Sequence, residues 1–132
     1  MPTSYGTKEK AKATKLHSLY VRSRDNYTCR WCGLGKADGK QVQCAHILSR
    51  SISSTRTDEN NAVTLCAKCH WKQTKNPLLW ARWIEVELGS ATLDALIERS
   101  VPGVKVDWGM EVDRLQALIG QLNSMRVDYE HE

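Results

Sequence analysis

Two Cys-x-x-Cys pairs constrain the fold of this chain more than any other feature of its sequence. Cys29 and Cys32 form the first pair, Cys66 and Cys69 form the second, and the intervening chain is long enough to contain a hairpin. Zn²⁺ accepts four thiolates at about 2.3 Å in a tetrahedral shell, and a two-residue spacing lets each pair chelate from one tight turn. The spacing therefore predicts one zinc ion held by four cysteines.

Such a zinc ion would be structural, because four protein ligands leave no position for water or substrate. The alternative is a redox pair or a set of reduced, buried thiols. A thioredoxin-like pair would need a strand-to-helix junction in a βαβ unit, which the sequence does not predict. Cys44 is the fifth cysteine, and we interpret it as a small buried strand residue rather than a ligand.

The 132 residues provide room for one compact domain. Within a single domain over residues 1–132, we expect a basic N-terminal helix in 1–28, a zinc-anchored core in 29–77 and a helical extension in 78–132. The N-terminal helix is predicted from Thr7 to about Arg24, with Leu16, Leu19 and Tyr20 as its packing stripe. The predicted class is α+β.

The core is predicted as two extended segments followed by a short helix. Residues 41–48 alternate as a strand, residues 49–60 are polar and form a surface loop, and residues 62–65 are a second extended run. A short helix should begin near residue 66 and end before Pro77. Three amphipathic stripes follow, at residues 79–88, 93–97 and 108–125, with Asp107 as the predicted cap of the last. Trp80 and Trp83 are interpreted as core.

Charge divides the chain into two unlike halves. Residues 1–75 contain fourteen Lys and Arg against five Asp and Glu, a net +9, whereas residues 76–132 contain five against ten, a net −5. The basic half suits a polyanion and the acidic half suits a solvated helical surface or a partner. No apolar run is long enough to cross a bilayer and the N-terminus has no apolar signal segment, so we expect a cytoplasmic protein without membrane contact.

Three further polar residues lie in order around the cysteine pairs. The sequence runs Cys29-x-x-Cys32, then Ala45-His46-Ile47, then residues 61–70 as Asn-Ala-Val-Thr-Leu-Cys-Ala-Lys-Cys-His. This stretch of roughly fifty residues resembles the HNH, or ββα-metal, endonucleases, with zinc cysteines interleaved among a histidine, an asparagine and a second histidine. The run from His46 to Arg50 and the spacing to Pro77 are similar to phage-borne members, including the NinG-like recombination proteins.

The resemblance implies a catalytic role for His46, Asn61 and His70. His46 matches the general base, a neutral imidazole that takes a proton from the attacking water. His70 matches the histidine that binds one catalytic divalent metal such as Mg²⁺ or Mn²⁺, beside the scissile phosphate of DNA. Asn61 matches the asparagine that either ligates this metal or ties down the loop carrying the base.

Two positions depart from the family pattern. Many members have Asp or His as a metal ligand directly before the base, where this chain has Ala45, and some have another histidine where it has Thr74. The implied ligands are therefore Asn61 and His70, with water and phosphate completing the shell. For each of these two residues and for His46, a structural role is the alternative: a buried hydrogen bond, a turn cap or a surface histidine.

DNA is the expected partner. Five cations near the predicted site are candidates for phosphate contacts: Arg50, Arg56, Lys68, Lys72 and Lys75. The alternative functions are a zinc-stabilised DNA-binding module without catalysis, which Ala45 favours, and an interaction protein in which zinc only holds the fold. The C-terminal helices are compatible with a homodimer or with packing inside one chain, and the sequence leaves the oligomeric state open.

Overall fold

A computed structural model describes residues 6–131, with side chains described for 6–126. Six helices and two strands follow one another in the described part of the chain: α1 (Thr7–Arg24), β1 (Val42–His46), α2 (Ser53–Arg56), β2 (Ala62–Cys66), α3 (Ala67–Lys75), α4 (Pro77–Leu88), α5 (Ser90–Arg99) and α6 (Trp108–His131). A short 3-10 turn lies at Lys36–Asp38. The predicted α+β class is confirmed, because helices surround a small two-stranded sheet.

Strands β1 and β2 pair antiparallel, with Val42 opposite Cys66 and His46 opposite Ala62. A two-stranded sheet has two open edges, and the structure closes part of the β2 edge with the chain that follows α1. The backbone N–H of Thr64 donates to the Asp25 carboxylate (3.0 Å), and the Thr64 carbonyl accepts the N–H of Arg30 (2.9 Å). These two bonds join the sheet to the segment that carries the first cysteine pair.

The first cysteine pair lies in a tight turn that glycine makes possible. The N–H of Cys29 donates to the carbonyl of Leu34 (2.8 Å), and the chain reverses through Gly33, whose φ of 82° favours glycine. Gly35 passes so near the preceding segment that an added Cβ would lie 2.3 Å from the Tyr27 carbonyl oxygen. A side chain at residue 35 would therefore force this turn to open.

Helix α1 has the predicted bounds, but its buried face differs from the predicted stripe. Ala13, His17 and Val21 are fully buried, whereas Leu19 is 37% exposed. The face at spacing i, i+4, i+8 packs towards α6 and the sheet. Because its middle residue is a histidine, this face does not form an apolar stripe in the sequence. Ala13 joins a hydrophobic cluster with three α6 residues, Trp108, Val112 and Leu115.

The second hydrophobic cluster lies between the sheet, the zinc ligands and α4. Ala45, Val63 and Leu65 are fully buried in it, and Trp80 and Ile84 of α4 pack against them. Helix α4 begins at Pro77, where proline replaces an N–H that has no helical partner. The prediction that Trp80 and Trp83 belong to the core is confirmed, since the first is buried and the second packs against the cluster.

The segment between the strands differs from the predicted surface loop. It contains α2, and Thr55, Thr57 and Asn61 within or beside it are almost completely buried. Thr57 and Asn61 can lie there because their polar groups are bonded: the Thr57 hydroxyl, for instance, donates to Glu111 of α6 (2.7 Å). The buried Thr55 hydroxyl has no hydrogen-bond partner among the described residues. We call residues 47–61 the base loop, because they follow His46, the residue for which the family resemblance implies the role of general base.

None of the helices among the described residues could span a lipid bilayer.

Candidate active site and zinc centre

The four predicted zinc ligands converge on one point. The Sγ atoms of Cys29, Cys32, Cys66 and Cys69 all lie within 4.8 Å of one another, and those of Cys32 and Cys66 are 3.7 Å apart. A tetrahedron with zinc–sulfur bonds of about 2.3 Å has edges of about 3.8 Å, so this geometry fits a zinc ion. The β2–α3 junction supplies the second pair, and the Gly33 turn supplies the first.

Backbone donors favour the thiolate form of one of the four cysteines, whereas burial raises the pKa of Cys32 and of Cys69. Burial raises the pKa of Cys29, but backbone N–H groups of Cys32, Cys66 and Trp31 more than offset that effect and lower it to about 7. A thiol with such a pKa is partly ionised at neutral pH, and the thiolate is the form that binds metal. Four thiolates around Zn²⁺ would carry a formal charge of −2, and Lys40, Lys68 and Lys72 line the cavity beside the cluster.

His46 ends β1 and has one ring nitrogen fixed by the protein. Its Nε2–H donates to the carbonyl oxygen of Arg56 in the base loop (2.8 Å). Burial lowers the pKa of His46, the hydrogen bond to Arg56 opposes this effect, and the charges of Arg50 and Arg56 lower the pKa further. The imidazole is therefore neutral at pH 7, with its proton on Nε2 and an unprotonated Nδ1.

His70 lies in the first turn of α3. Its ring is held through Nδ1, whereas the ring of His46 is held through Nε2. The Nδ1–H of His70 donates to the amide oxygen of Gln43 in β1, which leaves Nε2 as the lone-pair nitrogen. Gln73, one turn later, donates to the carbonyl of His46 (3.0 Å). Two glutamines thus join α3 to the strand that carries the first histidine.

Both histidines line one open cavity of about 440 Å³. Its other lining residues are Cys44, Ile47, Arg50, Gln73, Thr74 and Trp80. None of them is acidic. The cavity can therefore receive an anion next to the guanidinium of Arg50, beside the Nδ1 of His46 and the Nε2 of His70.

Asn61 is placed quite differently from the two histidines. It is fully buried, and its amide oxygen accepts the N–H of Leu48 (2.7 Å). Its amide nitrogen donates to the carbonyls of Thr55 (2.8 Å) and Leu48 (3.3 Å). All three bonds span the base loop, so the side chain holds together the segment whose Arg56 carbonyl orients His46.

A further histidine, His17, lies against His46, although the sequence predicted no role for it. The rings of His17 and His46 are 5.1 Å apart between centroids, and the Nε2–H of His17 donates to the carbonyl of Asp58 in the base loop (2.8 Å). Burial lowers the pKa of His17 to about 4, so it packs as a neutral ring. The signal in the sequence was its position between Ala13 and Val21 on one helical face.

The C-terminal helices bind the base loop through charged side chains. Arg114 of α6 donates to the Thr57 carbonyl (2.8 Å) and to Glu59 (2.6 Å). Arg99 of α5 forms an ion pair with Asp58 (2.8 Å). Burial raises the pKa of Glu111, but its bonds with Arg114 and Thr57 produce a net lowering. The sequence did not predict this contact, because it joins residues more than forty positions apart.

The five predicted DNA-contacting cations occupy different surroundings. Arg50 lines the cavity of the two histidines. The side chain of Arg56 is turned inwards and donates to Thr14 (3.1 Å) and to the Arg50 carbonyl (3.0 Å). Three lysines lie along α3: Lys68 and Lys72 line the zinc-side cavity, and Lys75 lies against the Trp71 ring. The Nζ of Lys72 is also 4.6 Å above the ring of Trp31.

A comparison with known protein families finds a similarity in the central part of the chain. Residues 29–76 match the family model described as HNH endonuclease. The match begins at the first zinc ligand and ends just after α3, so it includes both strands, all four cysteines, His46, Asn61 and His70. Helices α1, α4, α5 and α6 lie outside it. No curated protein and no solved structure matches the chain.

Proposed function

We propose that the chain is a metal-dependent endonuclease that hydrolyses phosphodiester bonds of DNA, with residues 1–132 acting as one domain. The observation that carries the proposal is the cavity shared by His46 and His70, in which each ring has one nitrogen bonded to the protein and the other available. The match of residues 29–76 to the HNH endonuclease model supports the same conclusion.

His46 acts as the general base in this proposal. Its Nδ1 takes a proton from the water that attacks phosphorus, while the Nε2–H bond to the Arg56 carbonyl holds the ring in one tautomer. Burial and the neighbouring cations lower its pKa, which keeps the base unprotonated at neutral pH. The same cations favour binding of the phosphate anion.

His70 contributes Nε2 as the protein ligand of the catalytic metal. A bound divalent ion supplies positive charge that stabilises the pentavalent phosphate and the leaving oxygen. The four cysteines are the only group of three or more His, Cys, Asp or Glu ligands among the described residues. The donor set at His70 therefore fits an ion that substrate phosphate helps to hold, and imidazole suits Co²⁺ or Ni²⁺ better than Mg²⁺ or Mn²⁺.

Asn61 acts in this proposal by tying the base loop. Of the two roles that the family resemblance implies, this one is supported by the three hydrogen bonds that occupy its amide group. A ligand role would require a metal to reach this oxygen, which already accepts the N–H of Leu48 and belongs to a fully buried side chain. Ligation by Asn61 is thus the weaker of the two proposals.

We also propose that the chain acts on DNA in the cytoplasm, in phage DNA processing or recombination, as a member of the phage-type, NinG-like subgroup. The support is the sequence resemblance from His46 to Arg50 and through to Pro77.

The proposal is tested by incubating zinc-loaded protein with linear, nicked and branched DNA in Mg²⁺, Mn²⁺, Co²⁺ and Ni²⁺. Wild-type protein should cleave in at least one of these metals. His46→Ala should lose about 10²-fold or more of the rate, which is the usual contribution of a general base, with unchanged zinc content and thermal unfolding. Cleavage by His46→Ala at the wild-type rate would reject the assigned base.

The second candidate is a zinc-stabilised DNA-binding module without catalysis. The observation that favours it is Ala45, which is fully buried in the hydrophobic cluster at the position where many HNH proteins have a metal ligand. This candidate predicts DNA binding with a strong salt dependence and no cleavage in any of the four metals.

A further inference from the structure

A second cavity, of about 380 Å³, lies between α1 and β1 and meets the cavity of the two histidines. The two cavities have Cys44, His46 and Arg50 as common lining residues. The second one is further lined by Thr14, Lys15, Ser18, Arg22, Val42 and Gln43. No described residue that lines either cavity is acidic, although the chain contains 15 Asp and Glu. The two cavities together form a groove without negative charge.

The polar groups of α1 that line this groove can donate hydrogen bonds to a phosphate. Lys15, Ser18 and Arg22 follow one helical face at spacing i, i+3, i+7. The Nε of Arg22 donates to the hydroxyl oxygen of Ser18 (3.2 Å), which leaves the hydroxyl hydrogen of Ser18 able to donate. Lys15 is exposed. The Cζ of Arg22 lies 5.8 Å from the centre of the Tyr27 ring, and the hydrogen bonds that Arg22 donates within the described residues come from Nε, not from its terminal nitrogens.

The other cations of α1 are placed differently. Lys8 and Lys12 line a cavity that also contains Glu9, Asp107 and Asp113. Arg24 is bound to Asp25 and to backbone carbonyls. An anion approaching α1 is therefore favoured beside Lys15 and Arg22 and opposed beside Lys8 and Lys12.

We propose that Lys15, Ser18 and Arg22 bind backbone phosphates of DNA on one side of the phosphate held at His46, with Arg50 between the two positions. This assignment rests on the proposed function for its substrate, but α1 lies outside the segment that matches the HNH model. Phosphate contacts of this kind position a DNA strand without reading its sequence. They contribute to substrate binding rather than to the chemical step, so they should act on KM and leave kcat nearly unchanged.

The experiment measures binding of zinc-loaded protein to a short fluorescein-labelled DNA duplex as a function of salt, without chelator and without added divalent metal. Each lost phosphate contact reduces the slope of log K against log salt by about one unit, so Lys15→Gln with Arg22→Gln should reduce it by about two units and weaken binding at every salt concentration. Lys8→Gln with Lys12→Gln is the matched control, since it also removes two positive charges from the same helix. It should leave the slope unchanged.

Cleavage assays on the same proteins separate this proposal from the proposed function. The double variant should show a raised KM with wild-type kcat, zinc content and thermal unfolding. If wild-type protein cleaves DNA and the double variant retains the wild-type salt slope and KM, the groove assignment is wrong and the nuclease proposal stands. If wild-type protein binds DNA with the expected slope change but cleaves in no metal, the nuclease proposal is wrong and the groove assignment stands. An equal slope change in the control variant Lys8→Gln with Lys12→Gln would also overturn the groove assignment.

Discussion

The two histidines of the candidate active site are held by two regions built in different ways. His70 follows Cys69 directly on α3, so four thiolates that fit one zinc ion fix its position. His46 depends on the base loop, where the Arg56 carbonyl accepts its Nε2–H. That loop contains no zinc ligand. It is held by the Asn61 amide and by side chains from helices outside the segment that matches the HNH model.

The base loop shows what the flanking helices contribute. His17 of α1, Arg99 of α5 and Arg114 of α6 each bind it through a carbonyl or a carboxylate. None of these three residues lies within residues 29–76. The groups that hold His70 therefore all lie within the matched segment, whereas those that hold the loop beside His46 include side chains of helices from both ends of the chain.

Loss of a zinc ligand should have the largest effect, because it removes the anchor of the His70 region. Structural zinc contributes an apparent 10–16 kcal/mol or so in small zinc domains, which is comparable with the whole stability of a domain of this size. Cys66→Ser should therefore release zinc and unfold the chain at room temperature. Metal content and circular dichroism measure both effects.

Cys44→Ser is the matched control, since it makes the same chemical change at a cysteine outside the zinc cluster. We expect full zinc content and a loss of about 1 kcal/mol, the usual cost of a mild core change. A folded, cooperative Cys66→Ser protein without zinc would contradict the assigned anchor.

Asn61→Asp tests the tie inside the base loop. An aspartate cannot donate to the carbonyls of Thr55 and Leu48, and it would place a carboxyl group in a fully buried position. We expect a loss of about 2–4 kcal/mol in the free energy of unfolding, with zinc retained and cleavage lost.

Asn60→Asp provides the control for this substitution at a neighbouring, less buried residue, and it should be close to neutral. If Asn61 were a metal ligand, a carboxylate there would bind metal more strongly. A stable Asn61→Asp protein that needs less metal for half-maximal cleavage would refute the loop-tie role.

Arg114→Met removes the charged contacts between α6 and the base loop. Hydrogen bonds to charged groups contribute about 1.5–3 kcal/mol when buried, and the 36% exposure of the Arg114 side chain reduces this value. We expect a loss of about 1–2 kcal/mol in urea unfolding, and a lower kcat with unchanged zinc content. Arg82→Met on the exposed side of α4 should change neither; equal effects of the two variants would show that the contact is unimportant.

His17 should give the smallest effect and one that depends on pH. Its pKa is about 4 in the folded chain against 6.5 ordinarily, so the unfolded chain binds the additional proton. Above pH 6.5 the ring is neutral in both states and folding carries no penalty. As pH falls from 6.5 towards 4, protonation of the unfolded chain progressively lowers the free energy of unfolding. Between pH 7 and about pH 5.5, wild-type protein should lose about 1 kcal/mol more than His17→Gln. Equal losses in the two proteins, with zinc content monitored, would contradict burial of a neutral ring.

The sequence was sufficient for the parts of the structure that depend on local pattern. The bounds of α1, the positions of the two strands and the cap at Asp107, whose carboxylate accepts the N–H of Met110 (3.1 Å), follow from periodicity and turn chemistry. The cysteine spacing also predicted the thiolate cluster, because two chelating turns have few other arrangements. Each helix, strand, cap and chelating turn is formed by residues that lie close together in the sequence.

The sequence was insufficient where a polar residue has a distant partner. The segment at residues 49–60 is polar and was expected on the surface, yet Thr57 is buried because Glu111 of α6 accepts its hydroxyl group. Gln43 was predicted only as a strand residue, although it orients His70. Such pairs have no period in the sequence, since each depends on how α3 or α6 packs against the sheet and the loop.

If His46 is a neutral base held in one tautomer, the pH dependence of cleavage by wild-type protein should show its ionisation. In a single-turnover assay with saturating metal and DNA, the rate should rise with pH through an ionisation below 6.5, because burial and neighbouring cations lower the pKa of His46. In His46→Gln this limb of the profile should disappear together with most of the rate. A wild-type midpoint above 6.5, or the same limb in His46→Gln, would contradict the account.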